Sequence, residues 1–301
     1  MEFLGNQKAK ETLYKMKQSG RFPHAILLCG EKGLGKKTFA RLVAQTFLCE
    51  SENAPCNACE TCHKIESKNH VDIEQISEFT RPNSFPVDKV REIKKTAYLS
   101  PNEAKVRVFI LANADCMGVQ AQNALLKIIE EPPQTAMFIL TAQNREKMLE
   151  TVRSRCVSIP IMPVEETVAK DFVKNLYPDN ELVDMLSQTF SGNIGAIIEA
   201  VTDKDSVEQI NYAHEIVKSL VQGDEYKTLV LLSKLKKDKM LPVFEKVTAI
   251  LSRQSCEELK GISQEKRIRW LGEFIGAQND VAKNLNPTLL MTHLCVKLYS
   301  L

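Results

Sequence analysis

A chain of 301 residues, 44% hydrophobic and 26% charged, can bury cores for two or three domains, and its composition excludes a disordered, collagenous or coiled-coil protein. The net charge is +2; residues 1–205 carry 26 basic and 27 acidic side chains and the remainder 14 and 11, so neither part has the basic excess of a protein that grips nucleic-acid phosphates alone. The chain opens without a basic segment followed by an apolar run, and runs such as 25–29 and 106–112 are too short to cross a bilayer. The expectation is a cytoplasmic chain with no membrane partner.

Residues 24–29 form a predicted strand, and Phe39, Leu42, Val43 and Phe47 place a helix over 37–47. Val87, Val90, Ile93 and Ala97 share one face of a predicted helix over 86–99. A second strand falls at 106–111, and a helix over 120–131 is stopped by Pro132 and Pro133. A third strand follows at 136–141 and a short fourth at 156–161. Strands alternating with helices predict a parallel sheet covered on both faces. Beyond Pro160 and Pro163 only helical patterns remain, at 165–176, 180–191 and 194–201, with Gly192 and Asn193 between the last two. A polar linker is expected at 202–206, then long helices from Val207 broken near Gly223, Pro242, Gly261 and Pro287. The fold class is α/β followed by all-α.

Residues 30–36, Gly-Glu-Lys-Gly-Leu-Gly-Lys, match the phosphate-loop pattern between a predicted strand and a predicted helix. Gly30, Gly33 and Gly35 would let backbone N–H groups curl around phosphates, and Lys36 would reach their oxygens. The next position calls for a hydroxyl that holds Mg²⁺; here it is Lys37, an ammonium that repels the metal. Thr38 is turned about 100° around the helix axis and does not substitute. The second strand should end in a carboxylate, but Ala112 and Asn113 follow it. Asp115 lies further on and could as easily cap the next helix. Two departures in one site predict no hydrolysis of ATP, while binding of ATP or ADP stays open.

Of nine cysteines, Cys29, Cys116, Cys156, Cys256 and Cys295 are scattered, whereas Cys49, Cys56, Cys59 and Cys62 have the spacing C-x6-C-x2-C-x2-C. In a reducing compartment such a cluster reads as a closed, structural Zn²⁺ site. Acidic neighbours Glu50, Glu52 and Glu60 argue against a zinc ribbon that binds DNA. His63 could replace a thiol, but four thiols make it unnecessary.

Five stretches together resemble the bacterial clamp-loader family of AAA+ proteins. They are the loop 30–36, the four-cysteine insert, 87–92 (Val-Asp-Lys-Val-Arg-Glu), 123–133 (Asn-Ala-Leu-Leu-Lys-Ile-Ile-Glu-Glu-Pro-Pro) and 154–156 (Ser-Arg-Cys). The resemblance covers about residues 1–200; the C-terminal third matches only in length and helical character. It implies a RecA-like AAA+ core at 1–162 with an inserted zinc module, a small helical lid at 163–203 and an oligomerising helical collar at 204–301. It further implies gamma/tau and delta subunits of DNA polymerase III as partners, and the sliding clamp and primed DNA through the assembled complex. Arg155 matches the family's arginine finger, supplied in trans to a neighbouring ATP site; alone it would read as an ordinary surface arginine. The chain departs from the ATP-hydrolysing gamma/tau members at Lys37, at Ala112 with Asn113, and at Gly195, which stands where the lid helix is expected to carry an arginine. At 301 residues the expectation is a member without the long C-terminal extension of tau. The implied role is that of a non-hydrolysing member. The rivals are a self-sufficient AAA+ ATPase and a stand-alone zinc-containing DNA-binding protein.

The charges of Lys127, Glu130 and Glu131 read as a solvated helix face with an i,i+4 pair between Lys127 and Glu131. Trp270 is expected in a core or subunit interface, and the lysine-rich run 234–239 on a solvated helix face.

Overall fold

The computed structural model describes residues 3–300 except 78, 80, 82, 179, 181, 253–258, 260 and 283–285; Cys256 lies outside the described residues. The chain divides into two compact units, one of residues 1–165 with 193–195, the other of 166–192 with 196–301.

In chain order the first unit holds α1 (Gln7–Ser19), β1 (Ala25–Cys29), α2 (Lys36–Leu48), α3 (Glu60–Glu66), β2 (Ile73–Ile76) and α4 (Val87–Ala97). It continues with β3 (Arg107–Leu111), α5 (Val119–Glu130), β4 (Ala136–Ala142), α6 (Glu150–Arg153) and β5 (Val157–Pro160). The sheet order is β2-β3-β4-β1-β5, and every pairing is parallel. Ile26 stands opposite Ile139, and Arg107 opposite Ala136. Inner strands are apolar at nearly every position because both faces are covered. On one face Leu27, Phe109 and Phe138 pack with Val90, Ile93, Leu125, Ile128 and Val152 of α4, α5 and α6. On the other, Ile26, Leu28, Val108 and Ile110 pack with Leu13 of α1 and Phe39 and Val43 of α2. The four expected strands are present, and a fifth, β2, adds an edge. Its sequence Ile-Glu-Gln-Ile is half polar and only Ile76 is buried, so it carries none of the continuous apolar signal of a central strand.

The second unit is helical. It holds α7 (Glu166–Leu176), α8 (Leu182–Phe190), all but the first two residues of α9 (Ile194–Thr202), α10 (Lys204–Gln222), α11 (Glu225–Ser233), α12 (Lys237–Leu251), α13 (Gln264–Ala282) and α14 (Pro287–Tyr299). Its core gathers Val217, Leu232, Phe244, Val247, Trp270, Phe274 and Leu294. Trp270 is 1% exposed and its indole N–H donates to the Leu298 carbonyl at 3.1 Å, so it is core.

Three helical expectations are corrected. The polar stretch 202–206 is no linker: α9 runs to Thr202, and Asp203 caps α10 by accepting from the Asp205 N–H at 3.2 Å. Pro242 does not break α12: the helix runs through it from Lys237 to Leu251, and burial of Met240, Val243, Phe244 and Val247 outweighs the backbone hydrogen bond that the proline forfeits. The lysine-rich run is not one helix face: Lys234 ends α11 and Lys236 precedes α12. No helix among the described residues is long and apolar enough to cross a membrane.

Candidate functional site

The phosphate-loop residues lie between the end of β1 and the start of α2. Gly35 takes the left-handed conformation (φ 76°) at the helix N-cap, a geometry that favours glycine. Lys36, the first residue of α2, is 7% exposed and turns back onto the loop, donating to the carbonyls of Gly30 (2.6 Å) and Glu31 (2.7 Å). Burial lowers its ammonium to about 8, partly offset by the nearby Asp115 charge. The loop is also clasped from outside. The Gly195 N–H donates to the Gly33 carbonyl at 3.0 Å, and the Asn193 side-chain amide donates to the Lys32 carbonyl at 2.8 Å. A Cβ on Gly195 would lie 2.4 Å from the Gly33 oxygen and 2.7 Å from its Cα. The position where the resemblance expects an arginine therefore admits no side chain in this arrangement.

The neighbouring strand end supplies no free carboxylate pair. Asn113 is left-handed (φ 55°); its amide donates to the Phe79 carbonyl and its backbone N–H to Thr141 Oγ1. Asp115 caps no following helix. It lies in a 3₁₀ turn, and its Oδ2 accepts from the N–H groups of Gln143 (3.2 Å) and Asn144 (3.1 Å) beyond β4. Its Oδ1 is buried without a hydrogen bond.

The four clustered cysteines do come together. The Sγ atoms of Cys49, Cys56, Cys59 and Cys62 all lie within 4.8 Å of one another, and those of Cys56 and Cys62 are 3.9 Å apart. Tetrahedral zinc with Zn–S bonds of about 2.3 Å would space sulfurs about 3.8 Å apart, so the set fits a metal ion after small adjustments. The segment is partly helical: Cys59 caps α3, and Cys62 lies inside it. Cys56 Sγ accepts from the Cys59 N–H and Cys59 Sγ from the Cys62 N–H, both at 3.4 Å. Backbone N–H groups of Ala58 and Cys59 hold the Cys56 thiol down to about 6, whereas burial pushes Cys62 up to about 12. The Gln45 amide on α2 donates to Asn57 Oδ1 and the Cys62 carbonyl, and Lys17 Nζ donates to the Cys49 carbonyl at 2.6 Å. His63 is not in the set.

Arg155 follows α6, on the face covered by α4 and α5. Cys156 and Val152 are buried in that core, which fixes the backbone on either side, while the Arg155 side chain is 40% exposed. Its Nη2 lies 2.7 Å from Glu130 Oε1, and its Nη1 donates to the Thr151 carbonyl at 3.1 Å. The pair expected between Lys127 and Glu131 is absent among the described residues; Glu130 reaches across to Arg155 instead. Gln122, at the other end of α5, is 2% exposed. It accepts from the Leu149 N–H at 2.7 Å and donates to the carbonyls of Met117 and Lys147. Helix α5 thus holds the Arg155 segment from both ends. Gln122 was missed from sequence and Glu130 was read as a solvated charge; a glutamate in the last turn of a helix, against the dipole, is a signal that a cation is near.

A family model described as DNA polymerase III, delta subunit, matches residues 5–165. A DNA polymerase III gamma subunit of Buchnera aphidicola (subsp. Schizaphis graminum) is 29% identical over 242 residues, covering 72% of this chain and 66% of its own length. A DNA polymerase III delta' subunit of Bacillus subtilis is 32% identical over 171 residues, covering 54% of this chain and 50% of its own. The chain thus spans about half to two thirds of these relatives' length. Among solved structures, a DNA polymerase III gamma-subunit-related protein of Thermotoga maritima superposes with a TM-score of 0.51 at 16% identity, covering 96% of this chain and 98% of its own; this likeness concerns the fold alone.

Proposed function

The chain belongs to the DNA polymerase III delta-subunit family of clamp-loader AAA+ proteins, and on that premise we propose that it is a delta-prime-type subunit that hydrolyses no ATP itself. In the complex it supplies Arg155 in trans to the ATP site of a neighbouring gamma/tau subunit while the sliding clamp is loaded onto primed DNA. The observation that carries this reading is the clasped phosphate loop. Lys36 is spent on loop carbonyls, Gly195 sits on Gly33, and Lys37, Ala112 and Asn113 supply neither the hydroxyl nor the carboxylate that holds Mg²⁺ in a phosphate-loop ATPase. A finger stabilises charge developing on the transferred phosphoryl group, worth about 10³–10⁵ in rate where it has been measured.

In this reading Cys49, Cys56, Cys59 and Cys62 hold a structural Zn²⁺ that organises 49–66 and does no chemistry. Residues 163–203 act as a lid and 204–301 as a collar that joins the collars of gamma/tau and delta, in the cytoplasm. Gly30, Gly33, Gly35 and Lys36 belong to a loop clasped by Asn193 and Gly195 that hydrolyses no ATP, and whether it holds ATP or ADP as a static ligand stays open.

The test reconstitutes the chain with gamma/tau, delta, clamp and primed DNA. Arg155→Ala should leave assembly intact and lower DNA-stimulated hydrolysis by two orders of magnitude or more, while the purified chain alone shows no Mg-ATPase. Unchanged hydrolysis in an intact complex refutes the finger. Intrinsic Mg-ATPase favours the second reading, a gamma/tau-type ATPase, to which the longer match to a gamma subunit lends support.

A further inference from the structure

We propose that Glu130 is the positioning residue of the Arg155 finger, an inference that rests on the finger reading above. The two side chains come from different elements, α5 and the turn after α6, and meet at 2.7 Å. The Thr151 carbonyl takes the other terminal nitrogen at 3.1 Å. An unanchored arginine samples many rotamers, and ordering it at the moment of reaction lowers the effective concentration of the guanidinium. Here one nitrogen is tied to the end of α5 and the other to α6, and the guanidinium keeps further N–H groups for a phosphate oxygen.

Glu130 is in a costly place unless it has this task. It occupies the last residue of α5, where the helix dipole disfavours an anion, and Pro132 and Pro133 stop the chain just beyond it. The only ion pair it forms among the described residues is with Arg155. The backbone on both sides is fixed: Ile128 and Ile129 are buried before Glu130, and Val152 and Cys156 around Arg155. The geometry between carboxylate and guanidinium is therefore set by the core and not by surface chance. Both side chains remain about two-fifths exposed, so the pair is open to a neighbouring subunit and its worth is modest.

The experiment measures DNA-stimulated ATP hydrolysis in the reconstituted complex, with assembly verified by size exclusion, for Glu130→Ala, Glu130→Gln, Arg155→Ala and the double variant Glu130→Ala/Arg155→Ala. Glu130→Ala should lower kcat about three- to tenfold with little change in KM for ATP. Glu130→Gln, which keeps the accepting oxygen, should stay within about twofold of the parent. The double variant should equal Arg155→Ala, since Glu130 acts only through the arginine. If Arg155→Ala is impaired but Glu130→Ala is not, the finger stands and the positioning role is wrong. A rise in rate for Glu130→Ala makes Glu130 a restraint and overturns the proposal. So does a further fall in the double variant, which places Glu130's effect elsewhere. If Arg155→Ala is itself silent in an intact complex, the finger reading fails and takes this one with it.

Discussion

At the scale of single residues, the first unit's candidate nucleotide site is decided by side chains that are missing as much as by those present. Gly195 is the sharpest case, because its backbone touches the backbone of Gly33 and neither can give way as a flexible side chain could. Gly195→Ala should destabilise the protein by about 1–3 kcal/mol, read as a lower urea midpoint at unchanged m. Gly195→Arg should be at least as unstable and should not yield Mg-ATPase, since Lys37, Ala112 and Asn113 still supply neither the hydroxyl nor the carboxylate that holds Mg²⁺. Lys36 has a pH signature. Its folded-state value of about 8 lies below the ordinary 10.5, so between those values the unfolded chain binds the extra proton. Stability gains on going up through that window, and the gain is lost as pH falls through 8. Compared with Lys36→Met across pH 8 to 10.5, the parent should gain up to about 1 kcal/mol per pH unit. A difference that stays flat with pH means that Lys36 titrates normally and is not buried as described.

At the scale of elements, α5 connects the sheet to Arg155. Gln122 makes three hydrogen bonds while buried, two to the carbonyls of Met117 and Lys147 in the turns before α5 and α6, and one to the start of α6. Gln122→Leu keeps the volume but strands two carbonyls and an N–H, and should cost about 2–4 kcal/mol in chemical denaturation. A smaller loss would mean that water replaces the amide. This cross-element bond explains what was legible in the sequence and what was not. The inner strands, α2, α4 and α5 announce themselves through apolar runs and helical spacing, because burial imposes both. The phosphate loop and the cysteine spacing are local, so they too can be read directly. Strand β2 is hidden because an edge strand needs few apolar residues. The junction at Asp203 is hidden because a cap and a polar linker share the same composition. The Glu130–Arg155 pair spans 25 positions and arises only when α5 and α6 pack on one face, which no spacing rule encodes; from sequence the neighbouring Lys127 and Glu131 look equally good.

At the scale of the whole molecule, the two units carry separate natural reporters. The cysteine cluster belongs to the first unit, and the chain's single tryptophan, Trp270, to the second. The cluster is a small body of its own: Cys49, Ala54 and Cys62 are buried together, with Cys56 and Cys59 packed against them. Little apolar surface supports it, so a metal ion would contribute much of its order. Purified chain should contain one zinc per molecule by elemental analysis, and Cys62→Ala should lose it. Stripping the metal with a chelator should raise hydrogen exchange across about 45–66, fraying the last turn of α2 and loosening α3. Trp270 should not respond: it is enclosed by the second unit's own helices and bonded to Leu298. An unchanged emission maximum together with increased exchange at 45–66 is therefore expected. A red shift of Trp270 on chelation would instead mean that loss of the metal unfolds both units together, and the zinc would then be a global rather than a local element of stability.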